Sequence, residues 1–180
     1  MTATITAVED WLQRAVVGLG LCPFAAQPLL QRRVRIHVSL ADTVEALLGD
    51  LHEECVRLDE TPVEALETTL IVIPSMLADF EDYNDFLDPA EALLRHFGWE
   101  GVYQIASFHP DYRFAGVPAH DPGNLTNRAP YPLLHLLREA SVEAATATHP
   151  DAESIPERNV ARLQGMSAEA RQTVFGARAG

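Results

Sequence analysis

The densest set of side chains able to do chemistry lies in the second half of the chain. His109 is a potential general acid/base, and Asp111 or Tyr131 could orient its ring. Arg113 and Arg128 carry planar guanidinium groups, which grip carboxylate or phosphate through paired hydrogen bonds. These residue types together predict a site for a small anionic molecule.

A helix predicted over Tyr131–Ala147 would extend this site. Tyr131, His135 and Arg138 stand at i, i+4 and i+7, which places them on one face of a helix. Asn127 precedes the first turn, where unpaired N–H groups and a partial positive charge attract anions. A plain helix start with a capping residue and a solvated polar face is the alternative. The expected concavity is lined by Arg113, Asn127, Arg128, Tyr131 and His135, with His109 and Asp111 at its edge and Arg138 as a further ligand contact.

The two cysteines stand in different contexts. Cys22 lies just past a predicted helix, where it could be a thiolate nucleophile paired with His109 or His135, a redox thiol, or a ligand to haem or a soft metal. A small buried thiol is the alternative, and the negative end of a helix raises a thiol pKa. Cys55 lies in an apolar helical stripe, so we expect it to be buried and unreactive.

Metal binding is a further possibility. Zinc and iron are bound by the residue types found at Cys22, His109, Asp111 and His135. Their spacing, however, contains neither a C-x-x-C nor an H-x-x-x-H pair. A run of acidic residues lacks the glycine and ligand spacing of a calcium loop and is interpreted as a solvated helix face. These acidic residues are Asp79, Glu81, Asp82, Asp85 and Asp88. The sequence assigns no cofactor and no oligomeric state.

Three segments predict strands that would position these groups. Arg33–Leu40 alternates polar and apolar residues, which is typical of a strand with one wet face. Thr68–Ile73 is an unbroken β-branched and leucine run, which predicts a strand covered on both faces, and Val102–Phe108 is the third strand. Helical patterns between them predict an α/β fold, a layered sheet of three main strands with crossover helices. A ferredoxin-like α+β sandwich is the alternative.

Helical periodicity fills most of the remaining chain, whereas His109–Ala129 has none, and loops of that length are usually functional or disordered. We expect one domain with a core over residues 5–165, followed by a frayed tail or short docked helix over residues 167–180. The predicted helices are Ile5–Leu19, Thr43–Leu58, Asp79–Phe97, Tyr131–Ala147 and Pro156–Leu163.

Composition excludes several classes of protein. The net charge of the 180 residues is −13, and all 13 basic residues are arginine, which excludes Schiff-base, pyridoxal-phosphate and P-loop lysines. Nucleic acid is not an expected partner, because the basic footprint is missing. The chain has neither a long apolar run nor a signal-like N-terminus, so we expect no membrane association and a cytoplasmic location. Residues 42–100 hold 16 acidic side chains and two arginines, so an anion site should lie elsewhere.

Four blocks of sequence resemble the bacterial family of domain of unknown function fourteen-fifteen, over about Val8 to Leu163. The resemblance implies a bacterial protein of one domain, and it brings no activity, cofactor or catalytic residue to carry over. The blocks are WLQRAVVGLGLCPFA, ETTLIVIPSMLADFEDYNDFLD, GVYQIASFHPDYRFAG and NLTNRAPYPLLHLLREASVEAA.

Three functions therefore remain open. The first is an enzyme for hydrolysis or group transfer on an anionic metabolite, with a histidine acid/base and Cys22 as nucleophile. The second is a protein that binds or senses a ligand, haem or a metal and breaks no bond. The third is an interaction protein whose acidic middle segment meets a basic partner. Proximity of Cys22 to His109 would favour the first, and separation of the cysteine from the histidines would favour the others.

Overall fold

A four-stranded mixed sheet forms the centre of the protein. The computed structural model describes residues 1–149 and 151–176. The strands are β1 (Val34–Val38), β2 (Thr68–Val72), β3 (Tyr103–Phe108) and β4 (Leu133–Arg138). Their order is β1-β2-β4-β3; β1 and β2 are parallel, and β4 is antiparallel to both of its neighbours. The predicted layered α/β class is confirmed, and the strand-helix-strand-helix-strand-strand-helix order departs from the ferredoxin-like alternative.

Helices cover both faces of this sheet. The predicted tail contains a short docked helix, α7 (Ala168–Phe175), whose Phe175 is buried, and residues 177–180 lie outside the described part of the chain. No helix among the described residues is long and apolar enough to cross a membrane. The α-helices are α1 (Thr2–Trp11), α2 (Ala26–Leu30), α3 (Val44–Glu60), α4 (Phe80–His96), α5 (Glu139–Ala147), α6 (Ile155–Gly165) and α7 (Ala168–Phe175). A π-helix, Leu12–Val17, continues α1, and two 3-10 turns span Pro122–Asn127 and Ala152–Ser154.

The predicted helix over residues 131–147 is wrong in its first half, which forms β4. The run of leucines around His135 is apolar at both strand and helix spacing, so periodicity alone does not separate a buried strand from a buried helix. The space between β2 and β3 offers backbone hydrogen-bond partners on both sides, and this tertiary context outweighs local helix propensity. Because side chains alternate along a strand, His135 and Arg138 do not share a face.

Two apolar cores lie on the two faces of the sheet. One packs α3 and α4 against Ile71 and Leu134, and the other packs α1, the π-helix and α6 against Leu70 and Leu133. All five residues of β2 are buried, which confirms the prediction of a strand covered on both faces. The sheet thus separates any chemistry on one face from chemistry on the other.

The polar face of β1 packs against α3 and is only partly exposed. Arg35 pairs with Glu54 at 2.8 Å, and Glu54 is only 1% exposed. His37 lies 3.6 Å from the Glu54 carboxylate, and Arg33 pairs with Glu67 at 2.6 Å. The arginine cluster of the first strand is therefore neutralised by the acidic middle segment, and the expectation of a wet face is corrected.

Candidate functional site

The predicted site residues are divided between separate parts of the molecule. The single expected concavity is not formed, because the residues that were assigned to one helical face lie on a strand and a loop. Cys22, Asn127, His135 and Arg138 line a cavity of about 480 Å³. Asp111, Arg113 and Arg128 line a second concavity of about 430 Å³. Tyr131 packs against the core on the α1 side of the sheet.

The second concavity lies beside the N-terminus of α4, and its arginines are held by the protein itself. Arg113 pairs with Glu81 and stacks over the Phe80 ring, 5.8 Å from its centroid. Arg128 is 7% exposed and donates to the carbonyl oxygens of Tyr112, at 3.2 Å, and Ala119, at 2.7 Å. Burial lowers the pKa of Arg128. Of the two expected anion clamps, Arg113 thus links the loop to α4, and Arg128 links two parts of the loop to each other.

His109 is completely buried, and both of its ring nitrogens have partners. Nδ1 accepts from the backbone N–H of Asp111 at 3.0 Å, and Nε2 donates to the carbonyl of Leu77 at 3.1 Å. The ring packs against Phe80 and Tyr83, on the α4 side of the sheet. Burial lowers the pKa of His109, so the neutral form is favoured. This arrangement leaves neither nitrogen for a substrate and keeps His109 away from the cavity that Cys22 lines.

The 480 Å³ cavity lies on the opposite face of the sheet. Its floor is formed by side chains of β2, β3 and β4, and its walls come from the end of α1, the π-helix, the loop after it, α2 and α5. Most of the lining is apolar or aromatic. A mainly apolar concavity with a few polar groups is the usual form of a small-molecule site. The aromatic lining residues are Trp11, Phe24 and Phe108.

The π-helix that borders this cavity is a rare structure, and such turns are frequent at functional sites. Leu12 and Val16 of this turn line the cavity. The turn ends at Gly18, where an added Cβ would lie 2.4 Å from the carbonyl oxygen of Arg14, so no other residue fits without a backbone shift. Sequence reasoning missed this feature, and its only signal was the pair of glycines at positions 18 and 20.

His135 supplies the main polar group of the cavity floor. Its Nε2 lies 2.8 Å from Oγ1 of Thr68, and that hydroxyl lies 2.5 Å from the carbonyl oxygen of Leu136. Burial lowers the pKa of His135 to about 4, so the ring is neutral at pH 7. The residues directly across from it on the neighbouring strands, Leu70 and Ala106, are apolar. His135 is thus a polar group in an apolar part of the cavity.

The remaining polar lining groups are mostly held by the protein. Nδ2 of Asn127 donates to the carbonyl of Ser107 at 3.0 Å. Arg138 reaches the C-terminus of α3, where it donates to the carbonyls of Leu58 at 2.6 Å and Thr61 at 2.8 Å. Oγ1 of Thr126 is buried and has no hydrogen-bond partner within the described part of the chain. Arg138, predicted as a ligand contact, borders the cavity, but its guanidinium group binds the end of α3.

The four residues considered as metal ligands are dispersed. Cys22 and His135 border the cavity, Asp111 borders the other concavity, and His109 is buried. Over residues 1–149 and 151–176, no three His, Cys, Asp or Glu side chains are grouped so that they could hold a metal ion. The acidic run of α4 is exposed, as predicted, and Asp79 is its N-cap.

The two cysteines are expected to react with thiol reagents in a fixed order. Cys22 is half-buried on the cavity wall, whereas Cys55 is completely buried, and burial raises both pKa values, that of Cys55 to about 12. A small neutral reagent should therefore modify native Cys22 slowly and Cys55 only after unfolding. Peptide mass spectrometry follows both sites, with Cys22→Ser and Cys55→Ser as controls. Rapid labelling of native Cys55 would contradict its position in the core.

Comparison with known proteins gives a family without an assigned activity. The model of the family described as protein of unknown function (DUF1415) matches residues 3–173. No curated protein and no solved structure matches the chain significantly.

Proposed function

The chain belongs to this family, and we propose that it is a small-molecule-binding protein whose ligand occupies the cavity between the sheet, the π-helix and α5. The observation that carries the proposal is the cavity itself, about 480 Å³ in volume, mainly apolar and lined by a few convergent polar groups. Its volume lies within the range of roughly 300–1,000 Å³ that is usual for pockets of drug-sized ligands.

A binding role is better supported than catalysis. Burial raises the pKa of Cys22, so at neutral pH the group is a thiol and a poor nucleophile. His135 shares the cavity with Cys22, but its hydrogen bond goes to Thr68, and none joins the two side chains within the described residues. A nucleophile that lacks a hydrogen-bonded base is not activated for covalent catalysis.

An anion held by arginines, as in the first hypothesis, also has little support, because both arginines already bind groups of the protein. Arg113 is paired with Glu81, and Arg128 donates to backbone carbonyls. A bound anion would have to displace these partners, at a cost of about 1.5–3 kcal/mol for each hydrogen bond of the buried Arg128 guanidinium and less than about 1 kcal/mol for the exposed Arg113–Glu81 pair.

The proposal is tested by filling the cavity from α5. Ala145 lines the cavity, whereas its neighbour Ala144 is exposed on the same helix. Ala145→Trp should place an indole in the binding space and weaken ligand binding by at least tenfold. Ala144→Trp introduces the same side chain at the surface and should bind like the wild type.

Binding is measured by thermal shift and calorimetry with a panel of apolar and amphipathic small molecules. A ligand at one hundred times its Kd should stabilise the wild type by about 2.7 kcal/mol. Haem belongs in the panel because Cys22 and His135 both border the cavity, and its absorption spectrum would report ligation. If no compound binds, or if both tryptophan variants bind like the wild type, the cavity is not a ligand site.

A further inference from the structure

We infer that the ligand of this cavity is an uncharged, largely apolar molecule that presents a hydrogen-bond donor, a hydroxyl or N–H group, to Nδ1 of His135. This inference rests on the proposed function and identifies the class of ligand. It follows from the hydrogen bonds that fix the histidine ring and from the partners of the charged groups around the cavity.

The tautomer of His135 is set by Thr68. A threonine hydroxyl has a single proton, and Oγ1 of Thr68 directs it to the carbonyl oxygen of Leu136 at 2.5 Å, because that oxygen can only accept. The hydroxyl must then accept from His135, which puts the ring proton on Nε2, at 2.8 Å. Nδ1 of His135 is left as an acceptor, and no residue in the described part of the chain donates to it.

The space around this nitrogen suits an apolar ligand with one donor. Ala106, directly across on β3, is small and leaves the ring accessible from the cavity, and Leu70 lies across on β2. Nδ1 is accessible from the cavity, so a ligand that displaces solvent from this apolar surface would leave the acceptor unsatisfied unless the ligand itself carries a donor. A hydroxyl or N–H group on the ligand would supply that donor. An ionised carboxylate has only acceptor atoms, so its lone pairs would repel the lone pair of Nδ1.

The charged residues at the border of the cavity do not favour an anion. The two arginines that line it are Arg33 and Arg138. Arg33 is paired with Glu67 at 2.6 Å, and Arg138 donates to carbonyls at the end of α3. Nε of each arginine has no hydrogen-bond partner among the described residues, but the other guanidinium nitrogens that bind Glu67 and the α3 carbonyls hold the charge away from the cavity centre, so an entering carboxylate or phosphate would lose its hydration for little compensating attraction.

Three probes of equal chain length test the inference by calorimetry: 1-decanol, its methyl ether and decanoate. The wild type should bind the alcohol about tenfold more tightly than the ether, the value of one neutral hydrogen bond. Decanoate should bind more weakly than the alcohol. His135→Leu should remove the preference for the alcohol, whereas Leu134→Met, a conservative change on the opposite face of β4, should retain it.

A spectroscopic measurement keeps the test independent of the variants. The ¹⁵N chemical shift of Nδ1 should be that of an unprotonated nitrogen in the free wild type, and it should change on binding the alcohol but not the ether. Equal affinities for alcohol and ether, with binding still blocked by Ala145→Trp, would overturn the inference and leave the proposed function intact. Tightest binding of decanoate would also overturn it. If none of the probes binds, the inference fails together with the proposed function.

Discussion

Replacing Arg138 by methionine is expected to lower the free energy of unfolding by about 3 kcal/mol, the value of two charge-assisted hydrogen bonds. The guanidinium donates to the carbonyls of Leu58 and Thr61 and lies over the Tyr103 ring, 5.9 Å from its centroid. It also places a positive charge at the negative end of α3. Methionine keeps most of the apolar stem and removes these contacts, so the melting temperature should fall by about 6–12 °C.

The matched control is Arg95→Met. Arg95 is exposed and lies 3.8 Å from Glu91 one turn away, a surface ion pair whose loss should change stability by less than about 0.5 kcal/mol. Urea unfolding of the three proteins measures the difference. Unchanged stability of Arg138→Met, together with loss of ligand binding, would show that Arg138 contacts the ligand, as its sequence position suggested.

Acidification is expected to destabilise the protein through His135 by about 3 kcal/mol between pH 7.5 and pH 4. The folded-state pKa is lowered by burial from 6.5 to about 4, a difference of about 2.5 at roughly 1.36 kcal/mol for each pKa unit. Below pH 6.5 His135 is protonated in the unfolded chain but stays neutral in the folded protein. The free energy of unfolding therefore decreases as the pH is lowered, until His135 of the folded protein is also protonated near pH 4.

Urea unfolding of the wild type and His135→Leu at a series of pH values isolates this contribution, because the carboxylates present in both proteins cancel in the difference. The gap between the two curves should change by about 3 kcal/mol across the interval, with the wild type losing more stability in acid. Parallel curves would mean that His135 is protonated at an ordinary pKa, which would also remove the basis for a neutral acceptor in the cavity.

The parts of the fold that the sequence predicts correctly are those with a strong local pattern. Thr68–Val72 is a run of β-branched and leucine residues without a charged side chain, a pattern that predicts a strand covered on both sides, and all five residues are buried. The strand β4 was missed because its insertion between β2 and β3 depends on partners far away in the chain, and no local pattern records them. No local pattern in the sequence indicated the i→i+5 hydrogen bonds that define the π-helix.

The expected arrangement of the candidate site residues failed for a related reason, because Tyr131, His135 and Arg138 lie in a loop and a strand instead of on one helical face. Cys22, Asn127 and His135 nevertheless border one cavity, from a loop, a 3-10 turn and a strand. The arginines were assigned to a ligand from their chemistry alone. Whether a guanidinium meets a ligand or the protein's own acceptors depends on tertiary contacts, and Arg128 and Arg138 both donate to backbone carbonyls.

The position of β4 has a consequence for how the chain acquires its fold. β4 is the last strand among the described residues, yet it lies between the β1–β2 pair and β3 in the sheet. A nascent chain that has been synthesised only as far as Pro132 therefore cannot join β3 to the β1–β2 pair. Leu134 and Leu136 of the α3–α4 core and Leu133 of the opposite core arrive together with this strand. Both apolar layers and the floor of the cavity therefore stay incomplete until β4 has been synthesised, and until then the inner edge of β2 is open to pairing with another chain.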